Sequence, residues 1–262
     1  MPGNEKQTIE FILDNKDKIN LNHIGPIRSI KIPYKNQKVE VTKENIKIFQ
    51  SDDSSKKADI YLNNKGISLK QEGGNFAFNR LQRKDLLNFY YKILKLNNSE
   101  KIIDKIDRKI LDFHNNKEGK RNFSPLEVMT KKQFNTILKY LLLEGSPAKK
   151  SLFPAEYILV SKKTISSLSD LKIYNYDDYL NENKLTHDFA RRRSWYGQLS
   201  NTEHNRAKGL MKSKDNKKWC FDSVSGMPKA QIIENKKKYW RDEILEKDRK
   251  TCYYLMIETK KK

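Results

Sequence analysis

The stretch ADIYLNNKGISLKQ, residues 58–71, sets two β-prone runs on either side of Asn63-Asn64-Lys65-Gly66. Asn and Gly tolerate the left-handed backbone that a tight reversal needs, so the sequence predicts an antiparallel hairpin. A hairpin commits the chain to a sheet, and it places alternate residues of each strand on a common face. If the loop is centred between Asn64 and Lys65, Asp59 falls directly across from Lys70, and Tyr61, Ser68 and Lys70 share its face. A three-residue loop with Gly66 left-handed would shift the pairing by one and separate the two charges, unless a bulge restored the register.

The flanking sequence supplies layers for that sheet. Residues 4–14 carry Ile9, Phe11, Ile12 and Leu13 at spacings that predict a short helix, and PIRSIKIPY and QKVEVT alternate as strands. Leu86, Leu87, Tyr90, Ile93 and Leu94 mark a helix face between Lys84 and Leu96, and the helical period continues over residues 100–113. Ser124-Pro125-Leu126-Glu127 has the cap, first-turn proline and third-position acid of a helix start. Thr130 and Gln133 repeat the signal before a run that stops at Gly145. AEYILVSK predicts a buried strand, SSLSDL a short helix and YYLMIETK a last strand, whereas residues 181–229 are polar, basic and read as irregular. With no repeat and no long linker, the sequence predicts one α/β or α+β domain over residues 1–262, with a basic irregular C-terminal part.

The charge balance narrows the partners. Lys and Arg number 54 against 33 Asp and Glu, leaving +21, with 33% of residues charged and 36% apolar. Such a surface repels itself unless polyanions are near, which makes nucleic acid the first partner to consider and an anionic membrane surface the second. No apolar run reaches membrane-spanning length, and MPGNEKQTIE does not build a signal peptide, so the expectation is a cytoplasmic protein with no membrane partner. Cys220 and Cys252 have no zinc-ligand spacing and read as ordinary thiols, with no disulfide expected in a reducing compartment.

Asp59 and Lys70 could be a simple cross-strand ion pair. They also have the form that metal-dependent phosphodiester cleavage requires: a carboxylate to hold a divalent cation and an ammonium to orient or deprotonate the attacking water. Asp59 followed by Ser68-Leu69-Lys70 resembles the motif of the PD-(D/E)-x-K nuclease superfamily, in particular type II restriction endonucleases of the small HinP kind. The resemblance extends through NFSPLEVMTKKQFNTILKYLLLEG and FPAEYILVSK, covering roughly residues 56–162. It implies a restriction-endonuclease-like core, a mixed β-sheet flanked by helices, with residues 1–162 as catalytic core and 163–262 as a DNA-recognition part of the same domain. It further implies Mg2+ held by Asp59 and the Leu69 carbonyl, with Lys70 assisting the water. Ser68 stands where most members carry Glu or Asp; a hydroxyl is a weak neutral ligand, so one carboxylate is missing. Glu10, on the first helix, or Glu72 is the expected replacement.

For the DNA itself, Gln71, Asn75 and Asn79 follow the catalytic strand within a Gly-containing segment that permits close backbone approach. Arg191, Arg192 and Arg193 with Trp195 and Tyr196 form the densest mixture of arginine and aromatic residues, suited to phosphate, guanine and base stacking. The reading for the whole chain is a type II site-specific deoxyribonuclease acting on double-stranded DNA as a monomer or homodimer. Its rivals are a non-catalytic nucleic-acid-binding protein, for which the hairpin is structural, and a repair nuclease of the same fold.

Overall fold

The computed structural model describes residues 5–46, 56–72, 77–183, 185–223 and 240–261. In chain order the helices are α1 (Glu5–Asp14), α2 (Arg83–Leu87), α3 (Ser99–His114), α4 (Lys131–Lys139), α5 (Tyr176–Glu182), α6 (Asn201–Met211) and α7 (Lys214–Lys217). The first strands are β1 (Asn20–Leu21), β2 (Gly25–Pro26), β3 (Ile30–Tyr34), β4 (Gln37–Glu40), β5 (Ile60–Leu62), β6 (Lys65–Gln71) and β7 (Ala77–Leu81). The rest are β8 (Asn122–Phe123), β9 (Tyr157–Ser161), β10 (Leu171–Tyr174), β11 (Leu185–Tyr196), β12 (Cys220–Asp222) and β13 (Lys250–Lys261). The fold is α+β, and the chain forms two compact units. One comprises residues 1–76, 135–186 and 260–262, the other residues 77–134 and 187–259.

The first unit is built on a mixed sheet in the order β10-β9-β6-β5-β3-β4. β6 and β9 run parallel, with Ser68 beside Ile158 and Lys70 beside Val160, and the other pairs are antiparallel. Ile67 and Leu69 of β6 join Ile9 and Ile12 of α1, Ile30, Ile60 and Leu159 in one buried core. Strand alternation therefore turns Ser68 and Lys70 to the opposite face. α1 is fastened by a hydrogen bond of 3.1 Å between the buried hydroxyls of Thr8 and Ser161. The boundary expected after residue 162 falls between β9 and β10, which pair with each other through Ser161 and Leu171.

The hairpin forms as predicted, but its turn is Asn63-Asn64. Both residues are left-handed, at φ 49° and 66°, the signature of a tight two-residue reversal. The Asn63 amide oxygen accepts from the N–H groups of Arg28, at 2.7 Å, and Ser29, while its NH2 donates to the carbonyls of Ile24 and Pro26. Gly66 serves packing, not the reversal: a Cβ there would stand 2.4 Å from the Pro154 carbonyl oxygen. Ile60 consequently pairs with Ile67, and the residue that comes opposite Asp59 is Ser68, not Lys70. The slip of two residues preserves the face, so Lys70 remains diagonal to Asp59.

In the second unit β12, β13, β11 and β8 are neighbours in that order, and β7 also pairs with β13. The segment expected to be irregular contains the twelve-residue strand β11 and the helix α6. Its alternation is hidden because an arginine occupies a fully buried position, Arg191, between Phe189 and Trp195. The Ser124 box closes as expected, Ser124 accepting from Leu126 N–H and Glu127 returning to Ser124 N–H at 2.9 Å, yet it caps a single 3-10 turn. Among the described residues no helix is long and apolar enough to cross a membrane.

Candidate active site

β5 begins only at Ile60, so on that side the N–H of Leu69 on β6 has no strand partner. The Asp59 side chain takes this role, its Oδ2 accepting from Leu69 N–H at 2.7 Å and lying 3.5 Å from the Ser68 hydroxyl. Asp59 N–H donates to the Ile67 carbonyl at 2.9 Å, fixing the carboxylate at the end of the hairpin. Lys70 Nζ donates to Ser68 Oγ at 2.7 Å and to the Leu69 carbonyl at 3.0 Å. Carboxylate, hydroxyl, carbonyl and ammonium thus meet within one strand end.

Burial pushes the Asp59 carboxyl above its usual range, and Lys70, the Leu69 N–H and Ser68 pull it back. Lys57, whose ammonium donates to the Leu141 carbonyl at 2.8 Å, is pushed down to about 8, first by burial and then by the Lys70 charge. Glu5, in the first turn of α1, is pushed up to about 7 by burial and next by the Asp59 carboxylate, with Lys70 opposing. The electrostatics therefore single out Glu5 as the second acid around Asp59. Glu10 instead lies on the solvent side of α1 and pairs with Lys6 at 3.7 Å. Glu72 is exposed, and the groups that feel its charge are Lys162 and Tyr174. A helix count finds Glu5: it shares the three-and-four spacing with the buried Thr8, Ile9 and Ile12, whereas Glu10 falls outside that stripe.

A carboxyl whose pKa rises on folding favours the protonated fold. Its stabilising effect is complete below the unfolded value near 4.5 and is lost as pH rises through about 7. We expect the metal-free protein to melt at progressively lower temperature across that window and Glu5→Gln to flatten the dependence. Parallel melting curves of the two proteins at matched pH check this, and equal slopes would contradict the burial of Glu5 beside Asp59.

The oxygens available to a cation are the Asp59 carboxylate and the Leu69 carbonyl, beside the Ser68 hydroxyl, and the Glu5 carboxyl is the further acid that feels the Asp59 charge. A set of hard oxygens that includes a buried carboxylate suits Mg2+. Among the described residues no group of three or more His, Cys, Asp or Glu side chains is placed to hold an ion, so a cation here depends on the backbone carbonyl and on water.

The expected DNA contacts fare differently. Gln71 is half-buried at the end of β6, beside Ser161. Asn75 lies outside the described residues, and Asn79 is on β7, in the second unit. Arg191 is a correction: it is 1% exposed, and its guanidinium donates to the carbonyls of Lys109, Lys120 and Arg121 and pairs with Glu118. Arg192 pairs with Glu258, and Arg193 lies over the Phe113 ring at 4.3 Å. Trp195 is also a correction, being buried, while Tyr196 stacks on His204 at 4.9 Å. The Arg191 contacts hold β11 inside its own unit, since an unpaired buried arginine would be far too unfavourable, whereas Arg192, Arg193 and Tyr196 are half-exposed. No family model, curated protein or solved structure matches the chain.

Proposed function

We infer that the chain is a metal-dependent endonuclease for double-stranded DNA, of the type II restriction kind, acting in the cytoplasm. The observation that carries the reading is the Asp59–Leu69–Lys70 constellation, in which one buried carboxylate, one strand carbonyl and one ammonium converge just before β5 begins, alongside the last residues of β6. Asp59 and the Leu69 carbonyl are the primary cation ligands, and Glu5 supplies the acid that Ser68 does not. When bound, Mg2+ polarises the scissile phosphate and stabilises the departing oxygen. Lys70, held by Ser68 and Leu69, orients the attacking water towards phosphorus and balances the charge of Asp59. Ser68 keeps the Lys70 ammonium at this strand end instead of acting as a ligand.

The long-range attraction for DNA comes from exposed lysines, among them Lys208, Lys212, Lys214, Lys217 and Lys218 around α6 and α7. They act on phosphate and carry no base preference by themselves. The test is digestion of supercoiled plasmid with Mg2+ or with EDTA. Discrete fragments with the metal and intact plasmid in chelator are expected. A smear of products would favour a nuclease without sequence preference, and cleavage in chelator would remove the metal from the reading.

A further inference from the structure

Cys220 of β12 and Cys252 of β13 stand directly opposite each other in the antiparallel register. The backbone bonds around them fix the type of pairing. Tyr253 N–H donates to the Trp219 carbonyl at 2.9 Å and Ser223 N–H to the Arg249 carbonyl at 3.3 Å. Because hydrogen-bonded and open pairs alternate along an antiparallel ladder, Cys220 and Cys252 occupy an open pair. Open pairs bring their Cα atoms to about 4.5 Å, inside the range of about 4.4 to 6.8 Å that a disulfide spans. We propose that Cys220 and Cys252 are an intramolecular dithiol site that a glutathione-type disulfide oxidises to a cross-strand disulfide.

The surroundings favour this over two inert thiols. Cys252 is fully buried with Ala207, Leu210 and Tyr254, and Cys220 lies partly exposed at the edge of the same cluster. The Cys252 thiol is pushed strongly up, first by its hydrogen bond with the Cys220 thiol and then by burial, so attack begins at Cys220. Asp222 and Lys250, the next pair on the same face, form an ion pair at 2.6 Å, and the Lys250 ammonium opposes the rise at Cys252, the thiol that attacks second. The Cys220 thiol donates to the Asn216 carbonyl at 3.6 Å, an acceptor that also receives Trp219 N–H at 2.9 Å. Oxidation thus removes this weak bond without orphaning its acceptor and replaces the hydrogen bond between the two thiols by the S–S bond.

The exchange balances in two steps. The Cys220 thiolate attacks one sulfur of glutathione disulfide, forming a mixed disulfide and expelling one glutathione thiolate. Cys252 then attacks the Cys220 sulfur, expelling the second, and the two protons lost from the protein thiols end on the two glutathione molecules. The product closes the loop from Cys220 to Cys252, which restricts the unfolded chain and raises the melting temperature of the oxidised form.

The experiment treats the full chain with glutathione disulfide, blocks remaining thiols, and maps peptides by mass spectrometry without reductant. A Cys220–Cys252 cross-linked peptide lighter by two hydrogens, monomeric chain and reversal by dithiothreitol are expected. Cys252→Ser is expected to stop at a stable glutathione adduct on Cys220. A persistent adduct in the wild type, two blocked thiols, or a link between chains would overturn the proposal, and the wild-type result decides this without the variant.

Discussion

Asp59→Asn is expected to abolish DNA cleavage, with a fall of roughly a thousandfold or more, while DNA binding stays within about tenfold. Asparagine preserves the size of the side chain and an oxygen for the Leu69 N–H, which Asp59 holds at 2.7 Å. What disappears is the negative charge that makes the strand end a cation site. Burial already works against that charge, so the neutral variant should fold at least as stably as the wild type in the absence of metal. Lys70→Ala should lose cleavage similarly, because Ser68 and the Leu69 carbonyl then hold no ammonium. Single-turnover rates and gel-shift affinities of the purified variants measure both halves of the expectation. Cleavage by Asp59→Asn at the wild-type rate would move the active site elsewhere.

The second large effect concerns stability and falls on Arg191. Its guanidinium gathers three backbone carbonyls and the Glu118 carboxylate, and it lies between the Phe113 and Phe123 rings at 4.6 and 5.0 Å. Arg191→Ala strips those acceptors of their donor inside the fold and leaves a cavity, a loss of about 3–5 kcal/mol. Arg192→Ala, at a side chain 35% exposed and paired with Glu258, should lower stability by no more than about 1 kcal/mol. Urea unfolding of the two variants separates them. If the Arg191 variant has the wild-type midpoint, the buried clasp contributes nothing and the arginine is free for another role.

The sequence made the hairpin, α1, α3 and β9 legible because each announces itself locally through turn residues or a sustained hydrophobic period. The register was harder. Gly66 looked like the residue needed for reversal, but the two left-handed asparagines perform it, and Gly66 is required by the Pro154 carbonyl, from a segment far along the chain. Asp59 stands out in the sequence as an acid on a β-prone run, whereas the sequence points to Glu10 or Glu72 for the second acid and the charge that bears on Asp59 comes from Glu5. Glu5 was available from helix spacing alone, once the buried stripe of α1 was counted back from Ile12 through Ile9 and Thr8. Arg191 misleads for a physical reason. Surface and buried arginines are identical in sequence, and the acceptors that satisfy Arg191 come from Lys109, Glu118, Lys120 and Arg121, which no local pattern connects to β11. The pairing of Cys220 with Cys252 was likewise invisible, since strand register between distant segments sets it.

The most direct measurement of the central claim mixes the protein with its duplex in EDTA, forms the complex, and then adds excess Mg2+ while cleavage is followed in time. The account predicts a stable, uncut complex before the addition and a single burst of strand scission after it, absent in Asp59→Asn. Scission before the metal is added, or a complex that remains uncut after it, would contradict the assignment of Asp59, Leu69 and Lys70 as a metal-dependent phosphodiesterase centre.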